Sequence, residues 1–75
     1  MGHSWEDRIQ ALREDLEEFD VPRLFFLLHL CRIDAYDNHD YDRHEIILKA
    51  LSGLDKGNTY TIANALNQLE QLGEK

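Results

Sequence analysis

The chain has 75 residues, which is enough for one small domain and excludes a multi-domain enzyme. Hydrophobic residues make up 43% of the sequence and charged residues 31%, a balance typical of globular proteins and not of disordered ones. The net charge of −7 repels phosphate groups and anionic lipid headgroups, so we expect neither nucleic acid nor a membrane as a partner.

The first predicted helix begins near Trp5. Ser4 followed by Asp7 resembles a capping box, in which the Ser side chain bonds the helix start. Apolar residues then recur at the helical period: Trp5, Ile9, Leu12, Leu16 and Phe19. We interpret residues 1–3 as a tag or a disordered N-terminus, residues 4–73 as a single helical domain and residues 74–75 as its C-terminal end.

The second predicted helix begins after Asp20, a good N-cap, with Pro22 tolerated in its first turn. Between residues 24 and 33 apolar side chains point to every side of the helix. This pattern is typical of a central helix packed against two or more neighbours. We therefore expect its core residues to include Phe25, Phe26 and Leu28. The only cysteine, Cys31, cannot form an internal disulfide, which favours a reducing compartment and predicts a cytoplasmic location.

An acidic segment from Asp34 to Asp42 interrupts the apolar pattern and predicts a loop. Asp42 and Glu45 then resemble the start of a third helix, which we expect to end at Gly53. Its apolar residues are Ile46, Ile47, Ala50 and Leu51.

A tight turn over residues 54–57 and the N-cap Asn58 introduce the last predicted helix, which ends at Gly73. Its apolar side comprises Ile62, Ala65, Leu66, Leu69 and Leu72. The fold class predicted by these elements is all-α, a small antiparallel bundle of four to five short helices.

Two metal hypotheses arise from the acidic segment. Residues 34–45 have the length of an EF-hand calcium loop, but Tyr36 and His39 stand where that loop needs a carboxylate and a glycine. His39, Asp40 and His44 are alternative zinc ligands, although their spacing matches no strong zinc pattern. We expect a solvated acidic loop with no metal and no cofactor. No catalytic motif is present in the sequence, so we expect no enzymatic activity.

The last helix has an uncharged polar face in a strongly acidic chain. It contains no Lys or Arg between residues 59 and 72, which argues against a DNA-reading role. Interface cores are depleted in charge, so this face is a candidate partner surface, with acidic residues of the segment 34–42 setting orientation and association rate. The candidate partner-binding residues are Asn64, Asn67, Gln68, Gln71, Asp37 and Asp40.

Two stretches resemble the death-fold superfamily, and death-effector domains in particular. Residues 21–31, Val-Pro-Arg-Leu-Phe-Phe-Leu-Leu-His-Leu-Cys, are similar to a leucine-, phenylalanine- and cysteine-bearing helix of that family. Residues 51–58, followed by Ile62, Leu66 and Leu69, resemble the turn into its fifth helix. Residues 31–36 are also similar to a motif of the related small bacterial effector-associated domains. The resemblance implies a death-fold-like bundle that recruits a like helical domain.

The leading functional hypothesis is a non-enzymatic protein–protein interaction module, an adaptor or regulatory domain. Its partner would be a protein, either a like helical domain or a second copy of the chain. The alternative is a small acidic regulator or inhibitor that occupies a basic site on its target. Antitoxin-like proteins, nucleic-acid mimics and phage-encoded inhibitors belong to this second class.

Overall fold

The computed structural model describes residues 4–73, which contain four α-helices and no β-strand. The helices are α1 (Trp5–Glu18), α2 (Val21–Asp37), α3 (Tyr41–Asp55) and α4 (Thr59–Gly73). The predicted all-α class with four helices is confirmed. The interpretations of residues 1–3 and 74–75 concern residues outside the described range.

The four helices form a ring in which α1 and α3 each pack against both α2 and α4. α2 and α4 therefore occupy opposite corners, and their outward sides face away from each other. Arg8, near the beginning of α1, pairs with Asp34, near the end of α2, so these neighbours are antiparallel. Helices of 14–17 residues are roughly 21–26 Å long, which agrees with the longest dimension of the molecule, 28 Å.

The core lies along the axis of this ring and receives side chains from all four helices. Its fully buried large residues are Leu12, Leu24, Leu28, Ile47, Ile62, Leu66 and Leu69. The predicted core position of Leu28 is thereby confirmed. Complete burial of one such side chain contributes about 1.5–3 kcal/mol to folding, so these residues supply most of the stability of so small a domain.

All three connections between the helices share one design. The helix-ending residues Phe19, His39 and Gly57 have left-handed backbones with φ of 51°, 59° and 69°. The next residue donates its N–H to a carbonyl five positions earlier, at 2.8–2.9 Å, which is the Schellman pattern. That residue also caps the following helix with its side chain, and the three caps are Asp20, Asp40 and Asn58. Each short connection thus ends one helix and begins the next.

The predicted loop from Asp34 to Asp42 is wrong. α2 continues to Asp37 and α3 begins at Tyr41, so only residues 38–40 connect them. Ala35 is buried in the core, and burial of this residue keeps the helix intact despite the poor helix propensity of its neighbours. The Asn38 side chain further stabilises the helix end by donating to the Asp34 carbonyl at 2.8 Å.

The predicted boundaries of α3 also need correction. The N-cap is Asp40, whose carboxylate accepts the Arg43 N–H at 3.3 Å, and not Asp42. Gly53 lies inside the helix, buried against α4, and does not end it. A Cβ at this position would lie 2.8 Å from the Cβ of Thr61, so only glycine permits the close approach of the two helices. The left-handed glycine is Gly57 instead.

Candidate protein-interaction surfaces

The outward side of α2 carries a row of large exposed hydrophobic side chains. We call this surface the α2 outer face, and it comprises Phe25, Phe26, Leu30, Ile33 and Tyr36. Each of the five is about half exposed, and Phe26 reaches 63%. Of the ten exposed large hydrophobic residues found between residues 4 and 73, six belong to α2. Contiguous exposed apolar surface on a folded protein typically marks a place where another molecule binds.

The prediction that Phe25 and Phe26 belong to the core is wrong. α2 lies at a corner of the ring and packs only against α1 and α3, so just one side of the helix is buried. That side carries Leu24, Leu28, Cys31 and Ala35. Phe25 instead lies against His29 on the surface, with an edge-to-face ring arrangement and centroids 4.4 Å apart.

A groove of about 620 Å³ runs between α1 and α2, beside the α2 outer face. Ala11, Leu27 and Leu30 form its apolar wall, and Arg8 and Asp34 pair at its edge. Cys31 lies at its floor, and burial raises the pKa of the thiol, with a smaller lowering by Arg8. A thiol with a raised pKa is a poor nucleophile, so Cys31 is less reactive than a solvent-exposed cysteine.

The predicted amide face of α4 is exposed on the opposite corner of the bundle. Its four members are Asn64, Asn67, Gln68 and Gln71. Three of these side chains make no hydrogen bond within residues 4–73, whereas the Asn67 amide oxygen accepts from the Arg13 guanidinium at 2.9 Å. Arg13 also pairs with Glu70 at 3.1 Å, so this edge of the face is held against α1. The face is available to a partner, and its role stays a prediction.

Asp37 and Asp40 have different environments in the structure. Asp37 is the exposed last residue of α2. Asp40 is half-buried, caps α3 and pairs with the Arg43 guanidinium. Arg43 in turn lies over the Trp5 ring, 4.9 Å from its centroid. Asp40 therefore stabilises the fold locally, whereas the Asp37 carboxylate is exposed and makes no ion pair within residues 4–73.

The calcium hypothesis required a loop over residues 34–45, but most of these residues are helical in the structure. Within residues 4–73, no three His, Cys, Asp or Glu side chains are grouped so that they could hold a metal ion. None of the described helices has the length and the apolar character needed to cross a bilayer.

Comparisons with protein-family models, curated proteins and solved structures found no match to this chain. The exposed apolar side of α2 was not predicted from the sequence. One signal was present: Phe26, Leu30 and Ile33 recur at intervals of four and three, on the side of α2 opposite Leu24, Leu28 and Cys31. Two apolar stripes on opposite sides of one helix indicate two different contacts.

Proposed function

We propose that the chain is a non-enzymatic protein–protein interaction module that binds its partner through the α2 outer face. The observation that carries this proposal is the exposure of Phe25, Phe26, Leu30 and Ile33 along one side of a single helix. Aromatic side chains, Phe among them, are enriched at protein–protein interfaces relative to the rest of the protein surface.

Burial of the α2 outer face against a partner would release more free energy than burial of the charged surface of α1. Removal of apolar area from water contributes about 25 cal/mol per Å², and half-exposed Phe, Leu and Ile side chains retain much of that area. The outer side of α1, by contrast, is acidic, with Glu6, Asp7, Glu14 and Glu17 exposed. Charged rim residues chiefly affect association rate and specificity, whereas a buried apolar cluster supplies affinity.

The resemblance to death-effector domains is consistent with recruitment of a like helical domain. Residues 21–31, which carry the first stretch of the resemblance, form the first two-thirds of α2 and include Phe25, Phe26 and Leu30. Membership of the death-fold superfamily is part of this proposal. We assign the module to adaptor or regulatory roles, which require binding and no chemistry.

The experiment that tests the proposed function compares two surface variants as affinity baits. Phe26→Glu places a charge in the α2 outer face, and Tyr60→Glu places the same charge on α4, where Tyr60 is 81% exposed. We expect proteins retained by the wild-type chain and by Tyr60→Glu to be lost with Phe26→Glu. Circular dichroism melts control for folding. Equal retention by both variants would contradict the proposal.

The acidic outer side of α1 favours a second candidate function, a small acidic regulator that occupies a basic site on its target. The two candidates differ in their salt dependence, because screening weakens long-range charge attraction far more than apolar contact. Binding to the retained partner is therefore measured at low and high ionic strength. A steep loss of affinity with salt, together with insensitivity to Phe26→Glu, would favour the acidic regulator.

A further inference from the structure

A stripe of residues along the α2 outer face repeats with the spacing of a coiled-coil seam. It consists of Phe26, Leu30 and Ile33 from that face, flanked by Arg23 and Asp37, and the five residues are separated by three, four, three and four positions. Residues at these intervals lie along one line of a helix surface and can pack against a second helix. The stripe is open to solvent, since the Arg23 side chain is 69% exposed and the other four residues are also exposed.

The stripe is complementary to itself when two copies run in opposite directions. A two-fold axis through Leu30 places Leu30 against its own copy and Phe26 beside Ile33 of the second copy. The same axis places Arg23 opposite Asp37 of the second copy, because both lie seven residues from Leu30. Opposite charges at matched positions of facing helices set partner choice and orientation. A parallel pairing would instead bring Arg23 against Arg23.

We infer that two copies of this chain associate through antiparallel α2 helices to form a symmetric dimer. The inference rests on the proposed function and names the partner of the α2 outer face. Closed two-fold interfaces use the same patch on both subunits, and this stripe meets that requirement. Charge supports a second copy as the occupant, because the stripe holds one Arg and one Asp and is neutral within a chain of net charge −7.

The face is one helix wide, so we expect a small interface and a weak, concentration-dependent dimer. Sedimentation equilibrium over roughly 10 μM to 1 mM covers the affinities expected for interfaces of this class. We expect the wild-type chain to shift from monomer to dimer across this range. Leu30→Glu places two like charges at the two-fold axis and should weaken dimerisation by about a hundredfold. Tyr60→Glu, the control on α4, should leave the dimer unchanged.

A charge exchange tests the antiparallel arrangement itself. Arg23→Asp and Asp37→Arg each create two like-charge contacts in their own homodimer, so each should weaken self-association by about tenfold or more. In an equimolar mixture, both contacts become attractive and a heterodimer should form with near wild-type affinity. Arg23 also lies 3.6 Å from buried Asp15, so the Arg23→Asp variant is first checked for an intact thermal melt. If it does not fold, Arg23→Gln replaces it, and mixing with Asp37→Arg should then restore part of the affinity.

Each contrary result has a distinct meaning. A wild-type chain that remains monomeric throughout the concentration range overturns the dimer. The proposed function still stands in that case if Phe26→Glu, but not Tyr60→Glu, loses a retained partner. A dimer that tolerates Leu30→Glu also overturns the inference, because the interface then lies elsewhere. A mixture of the charge variants that stays monomeric overturns the antiparallel register.

Discussion

α2 and α4 occupy opposite corners of the same ring, yet their outward sides differ in chemistry. Each helix buries four residues against α1 and α3. The outward side of α4 carries amides such as Asn64 and Gln71, whereas that of α2 carries Phe26, Leu30 and Ile33. α4 demonstrates that a corner helix of this bundle needs only four buried residues. The exposed apolar residues of α2 therefore exceed what the fold requires.

In a small bundle, exposed apolar residues beyond those that the fold requires are candidates for partner binding. The same apolar residue types occur in the core and at partner surfaces. On a helix such as α2, only the side on which they lie distinguishes the two sets. Exposure of apolar side chains lowers solubility and promotes nonspecific association. A binding role gives such residues a use that folding alone does not supply.

Substitutions on the two sides of α2 should differ strongly in their effect on the free energy of unfolding. Leu28→Ala removes a fully buried side chain and should lower the free energy of unfolding by about 2–5 kcal/mol. Phe26→Ala, two residues away and 63% exposed, should change it by less than about 1 kcal/mol. Urea denaturation of the two variants at low protein concentration, where any dimer dissociates, measures both values. Comparable losses would mean that the two sides of α2 are equally buried, and would remove the basis of the proposed interaction surface.

A substitution at Gly53 tests how closely α4 must approach α3. Gly53→Ala introduces a methyl group 2.8 Å from the Cβ of Thr61, so α4 or the Thr61 side chain must shift. We expect a loss of about 1–3 kcal/mol, which is typical of overpacking. The double variant with Thr61→Ser lacks the neighbouring methyl group and should recover part of this loss. A neutral Gly53→Ala would mean that α3 and α4 do not need the close approach observed at this position.

The sequence alone predicted the fold class because α1, α3 and α4 carry apolar residues mainly on one side. It also predicted the caps Ser4, Asp20 and Asn58, whose side chains bond the first turns of their helices. The end of α2 was mispredicted because Ala35 has no local signal of burial. That burial depends on contacts with residues distant in sequence, which propensities do not contain.

The outward side of α2 was mispredicted for a different reason. A helix with apolar residues around its circumference is expected to be surrounded by neighbours. A ring of four helices has no central position, so no helix of this fold can be surrounded. The predicted range of four to five helices includes the four observed over residues 4–73. The exposure of Phe25 and Phe26 follows once the arrangement of these helices as a ring is known.

Substitutions on the amide face of α4 test whether this helix also contributes to partner binding. Asn64→Asp and Gln68→Arg introduce opposite charges on the amide face, and neither residue is buried. If the α2 outer face carries partner binding, each variant should change affinity by less than about threefold. Isothermal titration or sedimentation of these variants beside Phe26→Glu gives the comparison directly. If both α4 variants lost binding while Phe26→Glu retained it, the partner surface would be the amide face.

Two acidic residues near the junction of α2 and α3, Asp37 and Asp40, should differ in the property that their substitution changes. Asp37→Asn removes an exposed charge and should weaken association a few-fold at low salt and less at high salt, with little change in stability. Asp40→Asn retains an N-cap but loses the ion pair with Arg43, so it should chiefly lower stability, by less than about 1 kcal/mol. Thermal melts and association rates measured on both variants separate these roles. If Asp40→Asn instead slowed association and left stability unchanged, Asp40 would be a partner-binding residue.

The smallest expected effect concerns Cys31, on the buried side of α2. Burial raises the pKa of this thiol in the folded protein, so the folded state binds its proton more tightly than the unfolded chain. The resulting stabilisation is fully present below the unfolded pKa of about 8.5 and is lost as the pH rises through the folded pKa. Urea denaturation at neutral and alkaline pH should therefore show a decline in stability that is smaller in Cys31→Ser. The two proteins differ only at position 31, so the difference between their alkaline declines reports on Cys31. An identical alkaline decline in both would mean that burial does not raise the pKa of the Cys31 thiol in the folded protein.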